Sequence, residues 1–425
     1  MLARADRLVV LVSGAIPGER VRARVERVGK GVAYAAAVGV EAASSDRRDP
    51  EGDPLCGGCL YAHIAYPRQL ELKSQVIADA FGRIGRLDLP SAVRVVPSPE
   101  EGYRMRARLH VRGRLVGFFR EGTHEVCDAR QTRQLLPATA DAVDRLVDTM
   151  HALGLEGARE IELAENVSAS QRVVHLDAAA ALDAPSLERL AATEGLTGIS
   201  SPAGAAGEVR VTDAISVDGS PPILLGRHVL AFFQGNRHLI HQLVAHVVKA
   251  VPVASDVVDL YAGVGLFAVT AAALRGARVT AVEGDRMAAS DLRANAAQTH
   301  GSVRALHRSV EEFLREGEVR RAEGRLPAFA EGFGEARRSA LRARRRQPDP
   351  HTLIVDPPRT GMSREALDGT CQLRARRLIY VSCDVATLAR DARRIVDSGY
   401  RIAQADAFDL FPNTPHVETV VVFEM

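Results

Sequence analysis

Residues capable of chemistry stand at the ends of apolar, strand-like segments of this chain. Cys383 follows the segment RLIYVS and precedes a helix-like stretch over 384–395. A thiol near a helix N-terminus is favoured as the reactive thiolate, because the helix dipole and free N–H groups stabilise negative charge. The alternative is that Cys383 packs as a small hydrophobe, which is the commoner fate of a free cysteine.

A glycine turn and an acidic residue indicate a nucleotide-like ligand. The segment DVVDLYAGVGLFAV predicts a strand, a turn and a helix, and Gly263 and Gly265 let the backbone approach a ligand closely. Glu283 ends the next predicted strand and could accept hydrogen bonds from both hydroxyls of a ribose. The motif GVGLFA also fits the dinucleotide pattern, so a nucleotide-dependent oxidoreductase is one hypothesis. A plain tight turn beside a solvated Glu283 is another.

A third strand end argues against the oxidoreductase. In LIVDPPRTGM, Asp356 lies at the tip of a predicted strand and is followed by two prolines, which cannot continue a strand. A dehydrogenase has no need of such an element.

The elements that position these residues alternate between strand and helix from about residue 221 onward. A helix is predicted over 239–251. Strands are predicted over 256–260, 277–282, 303–307, 352–356, 377–382, 402–408 and 416–424. This alternation predicts an α/β fold with a mostly parallel sheet, in which ligands bind beyond the carboxyl ends of the strands.

The N-terminal half has a different pattern. Residues 1–45 alternate apolar and basic residues and predict a small β-barrel with a basic outer face. A polar linker follows over 46–54, then a helix over 68–86 and strand-like alternation over 103–120.

Composition indicates a globular protein of two or three domains. Of the 425 residues, 46% are hydrophobic and 25% charged, and the net charge is only +2. Five cysteines do not make a disulfide framework, which favours a reducing, cytoplasmic location without a membrane span. The stretch 316–350, with six arginines in 337–346, predicts a solvated loop, the alternative being a contact with RNA phosphates.

Six motifs, in one order, resemble the bacterial RNA uridine-5 methyltransferases. They are FFQGN at 232–236, DLYAGVGLF at 259–267, AVEGD at 281–285, DPPRTGM at 356–362, YVSCDVATLARD at 380–391 and FPNTPHVETV at 411–420. The resemblance implies a class I S-adenosylmethionine-dependent methyltransferase domain over 221–425, with a Rossmann-like, seven-stranded sheet. It also implies an α+β central RNA-binding domain over 46–220. The segment SGAIPGERVRARV resembles the core of a TRAM domain, an OB-like barrel, in residues 1–45.

The resemblance also implies roles for individual residues. Cys383 would be the nucleophile and Glu418 the general base, and the residues at the S-adenosylmethionine site would be Gln234, Tyr261, Gly263, Gly265, Glu283 and Asp356. Thiolate attack at carbon 6 of uracil would turn carbon 5 into a nucleophile for the methyl group, and a carboxylate would then remove the carbon 5 proton.

The implied partner is RNA, which a monomer would bind. The N-terminal and cysteine segments favour large-subunit (23S) ribosomal RNA as substrate, with transfer RNA as the alternative. A non-catalytic RNA-binding relative is a further hypothesis, against which Cys383 and Glu418 argue.

The iron–sulfur segment of the family is only partly matched. In PLCGGCLYAH, Cys56 and Cys59 are in place, but Pro50 and Thr132 stand where the other two cysteines would be. A four-iron cluster needs four thiolates, so we predict no 4Fe-4S cluster and no metal. A zinc site formed by Cys56, Cys59, His63 and Cys127 is the alternative.

Overall fold

A computed structural model of the chain describes residues 1–5, 8–50, 52–155, 157–178, 182–322 and 351–425. Residues 323–350 are not among them, so the prediction for this part of the arginine-rich stretch lies outside the described residues.

Helices and strands alternate along much of the chain. The helices are α1 Tyr66–Ala80, α2 Pro137–Ala152, α3 Ala184–Ala191, α4 Ile240–Lys249, α5 Leu266–Arg275, α6 Arg286–Ala297, α7 Val310–Ala322, α8 Arg364–Gln372 and α9 Val385–Asp397. The strands of the N-terminal half are β1 Leu2–Ala5, β2 Leu8–Ser13, β3 Arg20–Gly29, β4 Val32–Ala42, β5 Val95–Val96, β6 Arg106–Arg112, β7 Leu115–Phe119, β8 Val126–Asp128, β9 Ala158–Glu165, β10 Arg172–Ala178, β11 Gly198–Ser201, β12 Gly204–Gly207 and β13 Arg210–Ile215. Those that follow are β14 Ile223–His228, β15 Asp256–Leu260, β16 Arg278–Glu283, β17 Val303–His307, β18 His351–Val355, β19 Arg377–Ser382, β20 Arg401–Phe408 and β21 Glu418–Glu424.

The C-terminal half forms the predicted α/β sheet. Its strand order is β17-β16-β15-β18-β19-β21-β20-β5, and β21 runs antiparallel to both of its neighbours. The seven predicted strands are all present, which confirms the class I methyltransferase fold. An eighth strand, β5, is the outermost strand on one side, and its two residues pair with Ala407 and Phe408.

Burial and capping explain the element that presents the thiol. Residues 378–381 of β19 are each 0% exposed, as expected for a strand covered by helices on both faces. Helix α9 begins after Asp384, whose carboxylate accepts a 2.8 Å hydrogen bond from the Thr387 backbone N–H. The buried face of that helix packs on the sheet and includes Leu388, Ala392 and Ile395. Cys383 therefore lies in the two-residue connection between β19 and α9.

Two further sheets lie in the N-terminal half. Strands β1 to β4 form a four-stranded sheet in the order β1-β2-β4-β3, and β6 to β12 form a seven-stranded one in the order β12-β11-β10-β9-β6-β7-β8. Strand β3 is exposed along almost its whole length, and the small core beneath the first sheet contains Val12, Ala15 and Ala35. The TRAM assignment and the domain bounds at 45 and 220 stay predictions.

The predicted helix over 68–86 is present as α1, and it continues into one π-helical turn over Phe81–Gly85. Ile77 and Phe81 pack in the same core as strands β18 and β19, so this N-terminal element covers the C-terminal sheet. None of the described helices is both long and apolar enough to span a membrane.

Candidate active site

The predicted site residues meet at one edge of the eight-stranded sheet, the edge that the carboxyl ends of its parallel strands form. Tyr261, Asp356 and Cys383 directly follow strands β15, β18 and β19, and Glu283 ends β16. Glu418 begins β21, which is antiparallel, so its first residue lies at the same edge. Because Ser382 pairs with Thr419, Cys383 and Glu418 come next to each other across these two strands.

The glycine turn needs its two glycines for different reasons. Both adopt positive φ, 56° at Gly263 and 95° at Gly265. A Cβ at Gly265 would lie 2.8 Å from Leu292 Cδ1, so this glycine permits close packing of α6. A Cβ at Gly263 would meet nothing nearer than the Phe232 carbonyl at 4.0 Å. Open space therefore lies beside Gly263, where a ligand would pass.

Glu283 is bound to this turn. One of its carboxylate oxygens accepts a 2.7 Å hydrogen bond from the Gly263 N–H, and the other accepts one of 2.6 Å from the Asp285 N–H. The carboxylate is therefore held in a fixed orientation, and its remaining lone pairs can accept hydrogen bonds from a ligand.

Asp259 is a buried acidic group that sequence reasoning missed. It is 1% exposed, and neither carboxylate oxygen has a hydrogen-bond partner among the described residues. Burial raises its pKa well above the usual value, and the nearby Asp356 and Glu283 raise it further. The available signal was an acidic residue inside the apolar strand DVVDL.

These features fit S-adenosylmethionine. That molecule carries positive charge and a ribose, and the turn offers open space, an oriented carboxylate at Glu283 and an unpaired carboxyl at Asp259. A buried acidic group without a partner is costly unless a ligand supplies one.

Asp356 and Gln234 form the next part of the edge. The Gln234 Nε2 donates a 3.2 Å hydrogen bond to Asp356 Oδ2, and Gln234 is 4% exposed. Burial raises the pKa of Asp356 to about 7, although the Gln234 hydrogen bond opposes this effect. Asp356 can therefore change its protonation state near neutral pH.

The surroundings of Cys383 favour the protonated thiol over the thiolate that a helix N-terminus alone would favour. Burial raises its pKa to about 12, and the charges of Glu418 and Asp356 raise it as well. Arg359 acts in the opposite direction through its charge and a hydrogen bond to the thiol. The helix N-terminus is thus outweighed by desolvation and two neighbouring carboxylates.

Glu418 is also held in an environment that favours its neutral form. It is 2% exposed, and burial followed by the charge of Asp356 raises its pKa well above the usual value. Arg359 again opposes the shift. A carboxylate with a raised pKa is a stronger base once ionised, which suits proton abstraction from carbon.

Arg359 is the second residue that sequence reasoning missed. It is exposed, follows the two prolines after Asp356, and acts on both Cys383 and Glu418. An arginine directly after a rigid strand end was the signal that could have identified it.

The cysteine segment carries a disulfide bridge and a buried thiol. Cys56 and Cys127 form a disulfide, and Cys59 packs beside them as a buried thiol whose pKa is raised to about 11, chiefly by burial. Thr132, in the fourth position, donates its hydroxyl to the Ala129 carbonyl. The bridge also uses two of the sulfurs of the alternative zinc site, and no metal-binding group of three or more His, Cys, Asp or Glu occurs within the described ranges.

The chain is similar to known RNA methyltransferases. The family model for tRNA (uracil-5-)-methyltransferases matches residues 211–425, about half of the chain. The 23S rRNA (uracil(1939)-C(5))-methyltransferase RlmD of Pseudomonas entomophila is 32% identical, over 97% of this chain and 88% of its own. The RlmD of Verminephrobacter eiseniae is 31% identical, over 99% and 91%.

A solved structure shows the same fold. The Pyrococcus abyssi tRNA (uracil-54, C5)-methyltransferase, in complex with S-adenosyl-L-homocysteine, is 23% identical with a TM-score of 0.71, over 97% of this chain and 94% of its own. The chain therefore belongs to the tRNA (uracil-5-)-methyltransferase family and is an RNA (uracil-5-)-methyltransferase.

Proposed function

We propose that this protein forms 5-methyluridine in 23S ribosomal RNA through a covalent bond between Cys383 and the uracil ring. The observation that carries this proposal is the side-by-side placement of Cys383 and Glu418 at the sheet edge, with Arg359 acting on both. A nucleophile and a base on the same face of a cleft are what carbon 5 methylation requires.

The methyl donor would be S-adenosylmethionine, which supplies an electrophilic methyl group. Glu283 would accept hydrogen bonds from its ribose, and the turn at Gly263 and Gly265 would let the backbone pass close to it. Gln234, Tyr261 and Asp356 would line the same site, and Asp259, whose pKa is raised in the ligand-free protein, would ionise beside the positive charge of the ligand.

The first step on the uracil is attack by Cys383. Its Sγ forms a bond to carbon 6, and the electron pair of the carbon 5–carbon 6 double bond moves into an enolate. The thiol must first lose its proton, against a pKa of about 12. Asp356, with a pKa of about 7 and close enough to raise that of the thiol, would take part in this ionisation, and Arg359 would stabilise the thiolate.

The last step is elimination. After carbon 5 has taken the methyl group, Glu418 removes the remaining carbon 5 proton, the double bond forms again, and the bond from Sγ to carbon 6 breaks. Carbon acids give up protons slowly, and the buried Glu418 has the raised basicity that this step needs.

The choice of RNA is supported by the relatives. Two proteins with at least 31% identity over nearly the whole chain act, by name, on uracil 1939 of 23S ribosomal RNA. A paired uracil must leave its stack before a thiol can reach carbon 6, so a loop or bulge is favoured. We propose a monomer, because one chain carries every residue named in the site.

Mapping of 5-methyluridine in cells that lack the gene tests the substrate. The expected result is loss of one 5-methyluridine from 23S ribosomal RNA, restored by the wild-type gene but not by a Cys383→Ala version. Loss from transfer RNA alone would show that the substrate proposal is wrong.

A further inference from the structure

Three polar side chains of helix α1 point into the protein and not into water. Tyr66, Gln69 and Lys73 are spaced three and four residues apart, so they share one face of the helix. Gln69 is 0% exposed and Lys73 is 1% exposed. Burying such groups is costly unless each has partners, and the partners of all three include residues of one segment of the C-terminal half.

That segment is the loop over 409–417, which joins β20 to β21 and ends at Glu418. At its start, the Asp409 carboxylate accepts hydrogen bonds from Lys73 Nζ at 2.5 Å and from the Tyr66 hydroxyl at 3.0 Å. Lys73 Nζ also donates to the Phe411 carbonyl at 3.0 Å.

The middle of the loop is held at Asn413. Its Oδ1 accepts hydrogen bonds from Gln69 Nε2 and from an Arg48 guanidinium nitrogen, each at 2.9 Å. Its N–H donates to Gln69 Oε1 at 3.0 Å, and its carbonyl accepts from the Tyr61 N–H at 2.8 Å. Asn413 also has a φ of 62°, a left-handed conformation that asparagine tolerates better than most residues.

Glu418 lies five residues beyond Asn413, and both ends of that short segment are fixed. The strand end is fixed by pairing of Glu418 with Phe408, and the loop end by the contacts from α1 and its preceding segment. A base acts well only within hydrogen-bond reach of the proton it removes, so the position of this loop sets the position of Glu418.

We propose that Asn413, held by Gln69 and Arg48, is a positioning residue for the base Glu418. This inference rests on the proposed function, since it assigns a role in the elimination step. It makes the N-terminal helix α1 a part of the catalytic apparatus that never touches the uracil.

The variant Asn413→Gly tests this role with little disturbance of the fold. Glycine accepts the φ of 62°, Gln69 Nε2 keeps the carbonyls of Tyr61 and Ile64 as acceptors, and Arg48 keeps Glu100. We expect turnover to fall by up to about 10²-fold, as small displacements of catalytic groups do. Attack by Cys383 should persist, so a covalent RNA–protein adduct should accumulate on a denaturing gel.

Two further variants separate positioning from stability. Asp218→Gly replaces another left-handed residue, with a φ of 48° in an exposed turn, and should match wild type in turnover and adduct. Asn413→Asp keeps the oxygen acceptor and should restore most of the turnover lost in Asn413→Gly.

The outcomes distinguish this proposal from the proposed function. An adduct in Glu418→Gln together with wild-type turnover in Asn413→Gly would overturn the positioning role alone. No adduct in Glu418→Gln would overturn the base assignment, and the positioning role with it. If Asn413→Gly does not fold, Arg48→Met at the partly exposed Arg48 should give the same adduct at a lower level, and its absence would overturn the proposal.

Discussion

Replacing Glu418 by glutamine should stop the reaction after methyl transfer. The amide is almost the same size as the buried carboxyl, so β21 should keep its pairing with β19 and β20. The neutral amide cannot raise the pKa of Cys383 as an ionised Glu418 does, and attack on carbon 6 should therefore become no slower. The carbon 5 proton then has no base to receive it, and the bond from sulfur to carbon 6 stays intact.

The size of the defect follows from the role of a positioned base. Such a base contributes about 10²–10⁴-fold to a rate, so turnover should fall by that factor. At 1.36 kcal/mol for each factor of ten, this corresponds to about 2.7–5.4 kcal/mol in the elimination barrier.

Two measurements on one sample show whether this occurs. A denaturing gel with labelled RNA reports the covalent adduct, and release of labelled methyl product reports turnover. In Glu418→Gln the adduct should reach up to one per active site while turnover is slow. The control Cys383→Ala should show neither adduct nor turnover, because the nucleophile is missing.

Normal turnover of Glu418→Gln without a trapped adduct would refute this reasoning. The base would then be another residue, and Asp356 is the next candidate because its pKa of about 7 and its proximity suit proton transfer. Equal loss of both signals with a lowered melting temperature would instead indicate an unfolded variant.

Three other predictions concern the cofactor edge and the cysteines. Asp356 has a folded-state pKa of about 7, above its usual value, so its stabilising effect is complete below about pH 4 and is lost as pH rises through 7. Asp356→Asn should therefore raise the melting temperature of the ligand-free protein more at pH 8 than at pH 4, and an equal shift at both values would contradict this. Gly263→Ala places a methyl group in the open space at a φ of 56° and should weaken S-adenosylmethionine binding in calorimetry. The control Gly219→Ala imposes similar strain with nothing within 4 Å and should bind S-adenosylmethionine with wild-type affinity. Equal affinities of the two variants for S-adenosylmethionine would contradict this prediction. Anaerobically purified protein should contain less than stoichiometric iron and no visible charge-transfer band, whereas four irons per chain would contradict this prediction.

The C-terminal fold was predictable because its signals are local. Most strands of the sheet contain a short apolar run, and β15, β17 and β19 have the predicted bounds. Capping residues such as Asp384 mark where the helices begin. The two-residue strand β5 was not predictable, since two residues carry no periodic signal and their pairing with β20 depends on the whole fold.

The sequence predicted that the candidate site residues lie at strand ends, but it did not predict their electrostatics. The sequence places Cys383 before a helix, and that local view suggests a thiolate. It cannot show that burial of the thiol, with the charges of Glu418 and Asp356 on other strands, reverses the preference. The contacts between α1 and the 409–417 loop could not be predicted for the same reason. In the sequence, Gln69 and Lys73 look like ordinary polar residues of a helix, and only the structure shows their partners.

The buried ion pair between Lys73 and Asp409 joins positions 336 residues apart in the chain. A ribosome adding 5–20 residues per second needs roughly 17–67 s to make that interval. During this time Lys73 lacks the Asp409 carboxylate, and the apolar strands from β15 onward emerge without the last two strands of their sheet. The enzyme should therefore acquire its native core only after synthesis ends, which makes the nascent chain a substrate for chaperones and makes C-terminal truncation more harmful than its length suggests.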